Sequence, residues 1–188
     1  MDASFITFAG IVAAVTFVAS RIYEIVVALL RDRRARQSYV RSLFAEIDFN
    51  TTDLTIFNEA GVDLDDLEAA MEVRAAEGEV LIPHITDARH TVIYSENLAM
   101  ISALPDELVR SVVQFYGELE KIRNIIEGLS KPSYATIRIP GRVNTIARLY
   151  ERTQAAQTTG ETLLSQMAAL SPRLELKRKE RSPEGRAL

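Results

Sequence analysis

The chain begins with a run of eighteen uncharged residues, ASFITFAGIVAAVTFVAS, from Ala3 to Ser20. At about 1.5 Å per helical residue the run extends roughly 27 Å, close to the thickness of the hydrocarbon core of a bilayer. A cleaved signal peptide is a second interpretation of the run, but such peptides begin with positive charge and this chain begins Met1-Asp2. A buried core helix, the third reading, usually carries a polar stripe. We therefore predict one transmembrane helix, which occupies residues 1–30 together with its juxtamembrane segment.

Positive charge is concentrated on the carboxyl side of this run. Residues 21–41 contain six arginines and two acidic residues, whereas only Asp2 precedes the run. Because cytoplasmic loops are enriched in Lys and Arg, the asymmetry predicts a single-pass protein with its amino terminus outside and its carboxyl-terminal domain in the cytoplasm. Arg21 and Glu24 are then expected at the inner boundary. An alternative span over residues 11–30 would place this pair in mid-bilayer and make it a candidate functional site.

Small residues within the predicted span allow two helices to approach closely. Gly10 and Ala14 lie four residues apart, a spacing that brings helix backbones together in lipid. It predicts contact with a second copy of the chain or with another membrane protein. The alternative is that both residues simply face lipid.

The remainder of the chain has the periodicity of packed helices. Apolar residues recur at steps of 3 and 4 along residues 40–57 and again along residues 108–129, as they do in the seams of coiled coils and bundles. Pro105, followed by two acidic residues, marks the start of the second segment. We predict an all-α fold in which residues 31–170 form a helical stalk and a small cytoplasmic bundle.

Two further helices are indicated by their ends. Acidic residues at and after Asp63 favour a helix start there, because the amino-terminal end of a helix attracts negative charge. The last helix is predicted from about Arg142 to Leu170. Its middle, around Thr153 and Gly160, lacks large apolar residues and is expected to be exposed or bent.

Asn50 occupies a place in the apolar seam of the helix that covers residues 40–57. An amide in such a seam fixes register or oligomeric state when it finds a polar partner, which makes Asn50 a candidate interaction residue. The alternative is that Asn50 faces a gap in the bundle and bonds water or a loop.

The carboxyl-terminal segment, residues 171–188, lacks an apolar seam and contains two Ser-Pro pairs, which predicts a disordered basic tail. Residues 42–80 are strongly acidic, so packing of the basic end against this acidic middle is one expectation. Binding to anionic lipid or to an acidic partner is a second, and a merely solubilising tail is the third. The candidate cations are Lys177, Arg178, Lys179 and Arg181.

Several classes of chemistry lack the residues that they require. The chain has no cysteine, which excludes disulfides, cysteine zinc sites and thiol nucleophiles, and its net charge of -4 argues against a nucleic-acid-binding protein. His84 and His90 do not have the spacing of metal ligands, with or without the intervening Asp87. Glycine-rich phosphate loops and nucleophile elbows are also missing. We predict no enzymatic activity, no catalytic residues, no cofactor, no metal and no nucleic-acid partner.

Three short segments carry a resemblance: AEIDFN at 45–50, IYSENLAMISALPDEL at 93–108 and VVQFYGELE at 112–120. In these segments the chain resembles a loose group of uncharacterised bacterial single-span membrane proteins, with an "EI..N" helix and an "LP..L...V..FY..L" helix. The resemblance covers about the first two thirds of the chain. It implies the bacterial cytoplasmic membrane as the setting and implies no activity.

Taken together, these patterns predict a membrane-anchored, non-enzymatic interaction or scaffold protein that acts through helical seams. Its partners are then the lipid bilayer and either a second copy or another membrane protein. The alternative is a membrane-tethered sensor or ligand-binding module. In that case the bundle should enclose a cavity lined around Phe115, Tyr116 and Tyr150.

Overall fold

A computed structural model describes residues 3–82, 85 and 89–178; of residues 3–15 it describes the backbone alone. The chain divides into two compact units, Met1–Val40 and Arg41–Leu188. Throughout the described residues all regular structure is helical, which confirms the all-α prediction. The α-helices are α1 (Ala3–Ala60), α2 (Leu64–Ala76), α3 (Val92–Glu96), α4 (Asp106–Leu129), α5 (Pro132–Ala135) and α6 (Ile139–Leu170), and 3-10 helices cover Leu98–Ala103 and Pro172–Leu174.

The first unit consists of the amino-terminal part of α1. Within the residues that the structure describes, no helix combines the length and the apolar character that crossing a bilayer demands. Most of the predicted span, including Gly10 and Ala14, falls among residues 3–15, whose side chains lie outside the described residues. The transmembrane helix therefore stays a prediction.

The junction between α1 and α2 follows from its residues. Gly61 has φ +60°, a left-handed conformation that glycine adopts without steric cost and that ends α1. Asp63 then caps α2, because its carboxylate accepts hydrogen bonds from the backbone N–H of Asp65 at 2.9 Å and of Asp66 at 3.2 Å. The acidic start predicted for this helix is confirmed.

Helix α4 supplies the centre of the core in the second unit, where it packs along α6. The apolar seam predicted for residues 108–129 faces inward over its whole length, and Ile126 is half-buried while the other members are buried. Burial of each large apolar side chain contributes about 1.5–3 kcal/mol to folding. The buried members are Leu108, Val112, Phe115, Leu119, Ile122 and Leu129.

The middle of α6 differs from the prediction, because it is neither exposed nor interrupted. Thr153 and Gly160 are buried, and α6 is helical throughout Ile139–Leu170. A Cβ placed on Gly160 would collide with Oγ1 of Thr51 and would lie 2.8 Å from Cε2 of Phe115. The small residue thus leaves the space that the side chains of α1 and α4 occupy, which is a packing role rather than a bend.

Candidate interaction surfaces

An apolar collar surrounds α1 over residues 17–30. Its eight large side chains have between 46% and 69% of their surface exposed. At about 100° per residue they cover well over half of the helix circumference. Exposed apolar surface of this extent marks an interface with a protein or a membrane. The members are Phe17, Val18, Ile22, Tyr23, Ile25, Val26, Leu29 and Leu30.

One charged pair lies on the collar. The guanidinium of Arg21 donates to the carboxylate of Glu24 at 2.9 Å and lies 5.4 Å from the centre of the Phe17 ring. Both charged side chains are mostly exposed, so the pair contributes at most about 1 kcal/mol in water. Pairing neutralises the two charges within the collar, and six apolar residues, 25–30, separate the pair from the arginines that begin at Arg31.

Asn50 is buried, and its amide bonds a loop of its own chain. Its Nδ2 donates to the carbonyl oxygen of His90 at 2.6 Å and to that of Glu46 at 3.0 Å, and its Oδ1 accepts the N–H of His90 at 2.8 Å. The paired bonds to one residue hold the chain before α3 against α1. These contacts match the loop alternative, and a role for Asn50 between chains stays a prediction.

Glu46, one turn before Asn50, holds the start of α3, and this role was not predicted from the sequence. Its carboxylate accepts the N–H of Ile93 at 2.6 Å, the N–H of Tyr94 at 3.1 Å and the hydroxyl of Tyr116 at 2.5 Å. It therefore caps the first turn of α3 from a different helix. The spacing of four residues between Glu46 and Asn50 was the available signal, but neither partner lies nearby in sequence.

A second polar contact, between α1 and α6, was also missed. The amide of Asn58 donates to Oε1 of Gln157 at 2.7 Å and accepts the hydroxyl of Thr153 at 2.7 Å. Phe57 and Tyr150 stack beside it with ring centres 4.8 Å apart. The polar residues in the middle of α6, where large apolar residues are lacking, therefore form hydrogen bonds within the bundle.

The described part of the tail packs on the acidic middle of the chain. Nε of Arg178 donates to Oδ1 of Asp48 at 2.8 Å, and Lys177 lines a groove of about 400 Å³ beside Phe44 and Phe49. The 3-10 helix Pro172–Leu174 precedes this contact, and the disorder of the tail stays a prediction. Of the other predicted binding residues, Lys179 and Arg181 lie outside the described residues.

The cavity expected around Phe115, Tyr116 and Tyr150 is occupied by packed rings. Phe115 and Tyr116 are buried, and Tyr116 stacks on Tyr94 with ring centres 3.9 Å apart. A cavity of about 70 Å³ lies near Tyr150, because its lining includes Leu149 and also Phe57, which stacks on Tyr150. Its lining includes Asn50, Asp53, Leu54, Phe57, Ile85, Arg89 and apolar residues of α4 and α6.

Metal ligands do not converge in the part of the chain that the structure describes, where no three His, Asp or Glu side chains are grouped to hold an ion. His90 packs edge-on against Phe49, with ring centres 4.3 Å apart. His84 and Asp87 lie outside the described residues.

Comparisons of the chain with protein-family models, with curated proteins and with solved structures found no match. The resemblance to bacterial single-span proteins therefore stays a prediction. The function of the chain has to be inferred from its own contacts, burial and charges.

Proposed function

We propose that this chain is a membrane-anchored helical interaction module, held at the bacterial cytoplasmic membrane by residues 3–30 and acting without catalysis. The observation that carries the proposal is the apolar collar. Apolar surface in contact with water costs about 25 cal/mol per Å², so a collar of eight large side chains needs an apolar environment. Residues 3–20 extend the same uncharged character toward the amino terminus.

Lipid fits the collar better than a protein groove does. A groove covers one face of a helix, whereas the collar occupies well over half of the circumference, and lipid surrounds a helix on all sides. The arginines that follow, between Arg31 and Arg41, are placed to meet anionic headgroups at about 1 kcal/mol per charge. This arrangement supports an amino terminus outside and a cytoplasmic carboxyl-terminal domain.

The buried polar residues of the second unit support an architectural role. Glu46 and Asn50 use their hydrogen bonds on the backbone of α3 and of the preceding loop, and Asn58 uses its own on α6. They organise the bundle as a rigid body that can present surfaces to a partner. In the membrane, Gly10 and Ala14 would provide the contact with a second copy or with another membrane protein.

The absence of cysteine makes the anchor directly testable, because each introduced cysteine is unique. We would label Val18→Cys and Leu29→Cys in intact lipid vesicles with a membrane-impermeant maleimide. The matched control is Val113→Cys on α4, which is similarly exposed at 48%. We expect labelling of Val113→Cys and protection of the two collar variants in the vesicles.

Two outcomes would contradict the anchor. Equal labelling of all three variants in vesicles would place the collar in water. Protection of the two collar variants in a chain that stays in the soluble fraction, before any vesicles are added, would mean that protein, rather than a bilayer, covers the collar.

The partner contact is tested in the same background. If a second copy packs on the small residues, Gly10→Cys and Ala14→Cys should form disulfide-linked dimers under mild oxidation in membranes, whereas Val12→Cys on the opposite helix face should not. Dimers from all three variants at equal yield would indicate random collision and contradict a specific contact.

A further inference from the structure

Arg142 is a buried cation in the first turns of α6. Only 4% of its surface is exposed, and its Nε and Nη1 have no hydrogen-bond partner among the described residues. Tyr134 of α5 is also buried, with 2% of its surface exposed, and its hydroxyl has no hydrogen-bond partner within the described part of the chain. Among the residues that the structure describes, two nitrogen atoms of Arg142 and the hydroxyl of Tyr134 therefore lack an acceptor.

Native proteins avoid this situation, because a buried charge is costly unless it is paired and hydrogen-bonded. The buried neighbours of Tyr134 are apolar, because it packs with Leu129 and Ile146, and Ile146 lies one turn after Arg142 on the same face of α6. Burial raises the pKa of the Tyr134 phenol, and the positive charge of Arg142 offsets this only in part. The phenol thus stays protonated at neutral pH and is available as a donor.

The start of α6 adds further positive potential. Its N-cap is Arg138, and its first turn contains no acidic residue, whereas α2 and α4 both begin with acids. The amino-terminal end of a helix is itself the positive end of its dipole. Arg138 and Arg142 therefore stand where negative charge is the favourable partner.

We propose that Arg142 and Tyr134 form the polar end of a binding site for a small carboxylate anion, a function beyond the membrane-anchored role. A guanidinium presents parallel N–H groups that match the two oxygens of a carboxylate, and the phenol adds a third donor. Arg138 is exposed to solvent, so the buried part of the site holds one positive charge, which favours a carboxylate over phosphate. One guanidinium beside a neutral phenol neutralises a monoanion, while a buried phosphate dianion would keep an uncompensated charge.

The apolar setting favours a carboxylate with a short apolar body. Leu64, Leu67 and Ile85 pack against the cluster that contains Tyr134. Ile85 also lines the cavity of about 70 Å³ in the same unit, which places that cavity beside the cluster that contains Tyr134. Propionate and butyrate are suitable probes of this size class.

The test is thermal unfolding of the full chain in an uncharged detergent, with sodium propionate titrated against sodium chloride at constant ionic strength. A ligand that binds only the folded state raises Tm with the logarithm of its concentration above Kd. We expect this rise for the wild type and none for Arg142→Met. Tyr134→Phe, which keeps the ring, should need roughly tenfold more propionate. The control is Arg148→Met, an exposed arginine on the same helix, which should respond as the wild type does.

Three results would overturn the proposal. One is an equal propionate response in the wild type and in Arg142→Met. Another is stabilisation by inorganic phosphate but not by propionate or butyrate. The third is strong coupling between Arg142→Met and Asp87→Asn in a double-mutant cycle, together with no rise of Tm in propionate. That result would mean that the carboxylate of Asp87, rather than a bound anion, is the partner of Arg142.

Discussion

Replacement of Gly160 by alanine tests the packing of the bundle where α6 meets Thr51 of α1 and Phe115 of α4. The added Cβ would collide with Oγ1 of Thr51 and would approach Cε2 of Phe115 to 2.8 Å. Both obstructing side chains are fully buried at 0% exposure, so neither can move aside without shifting its helix. Overpacking of a core costs about 1–3 kcal/mol, and we place this case in the upper half of that range.

The intrinsic preference of alanine for helix acts in the opposite direction. Alanine is favoured over glycine in a helix interior by about 1 kcal/mol. The difference leaves a net loss of about 1–2 kcal/mol in the free energy of unfolding for Gly160→Ala. The matched control is Gly117→Ala in α4, where nothing lies within 4 Å of the added Cβ, and there the same exchange should stabilise by up to about 1 kcal/mol.

The assay is urea-induced unfolding of the full chain in an uncharged detergent, followed by circular dichroism. Thr51→Ala removes the colliding hydroxyl, so the double variant Thr51→Ala/Gly160→Ala should lose less stability than the sum of the two single variants. If Gly160→Ala were as stabilising as Gly117→Ala, α6 would not cross the other helices at this position. The reasoning would then be refuted.

Three further predictions concern the polar contacts and the tyrosines. Tyr116→Phe removes one bond to the Glu46 carboxylate and should cost about 2 kcal/mol in urea unfolding, with a loss below about 0.5 kcal/mol contradicting that bond. Asn50→Leu should lower the free energy of unfolding by about 1–2 kcal/mol and accelerate hydrogen exchange at the His90 amide. Unchanged exchange would contradict the paired hydrogen bonds between Asn50 and His90. Burial raises the pKa of Tyr150, so its contribution to stability is complete below about pH 10 and declines at higher pH. Tyr150→Phe should therefore reduce the loss of stability at alkaline pH. An identical dependence of stability on pH in the two proteins would contradict this prediction.

The helices themselves were largely predictable, because their signals are local. The period of 3 and 4 along residues 108–129 identified the buried face of α4, and the acids after Asp63 identified the start of α2. Both signals depend only on residues within one or two turns. The end of α1 depends on a local residue too, because Gly61 adopts a positive φ without steric cost.

The partners of the polar residues were not predictable, because they are distant in sequence. Asn50 could be recognised as unusual in its seam, but the choice between another chain and a loop depended on His90, forty residues later. Arg142 gave no signal at all, since an arginine near a helix start is normally hydrated. Its burial appears only in the folded second unit, where α2 and α4 pack on α6.

The middle of α6 shows a different limit of prediction from sequence. Sequence patterns score glycine and threonine as absent apolar residues, whereas at a close crossing the lack of a side chain is the feature that permits packing. Gly160 fits between Thr51 and Phe115 for this reason. Such a site can be recognised only when the neighbouring helices are known.

The most direct test of the membrane anchor is flotation of the full chain with lipid vesicles after an alkaline wash that removes peripheral proteins. The chain, with its collar intact, should rise with the vesicles and should resist the wash. A variant with Ile22, Val26 and Leu29 replaced by glutamine should be retained less. Recovery of the wild-type chain in the unfloated fraction would contradict a bilayer around residues 3–30.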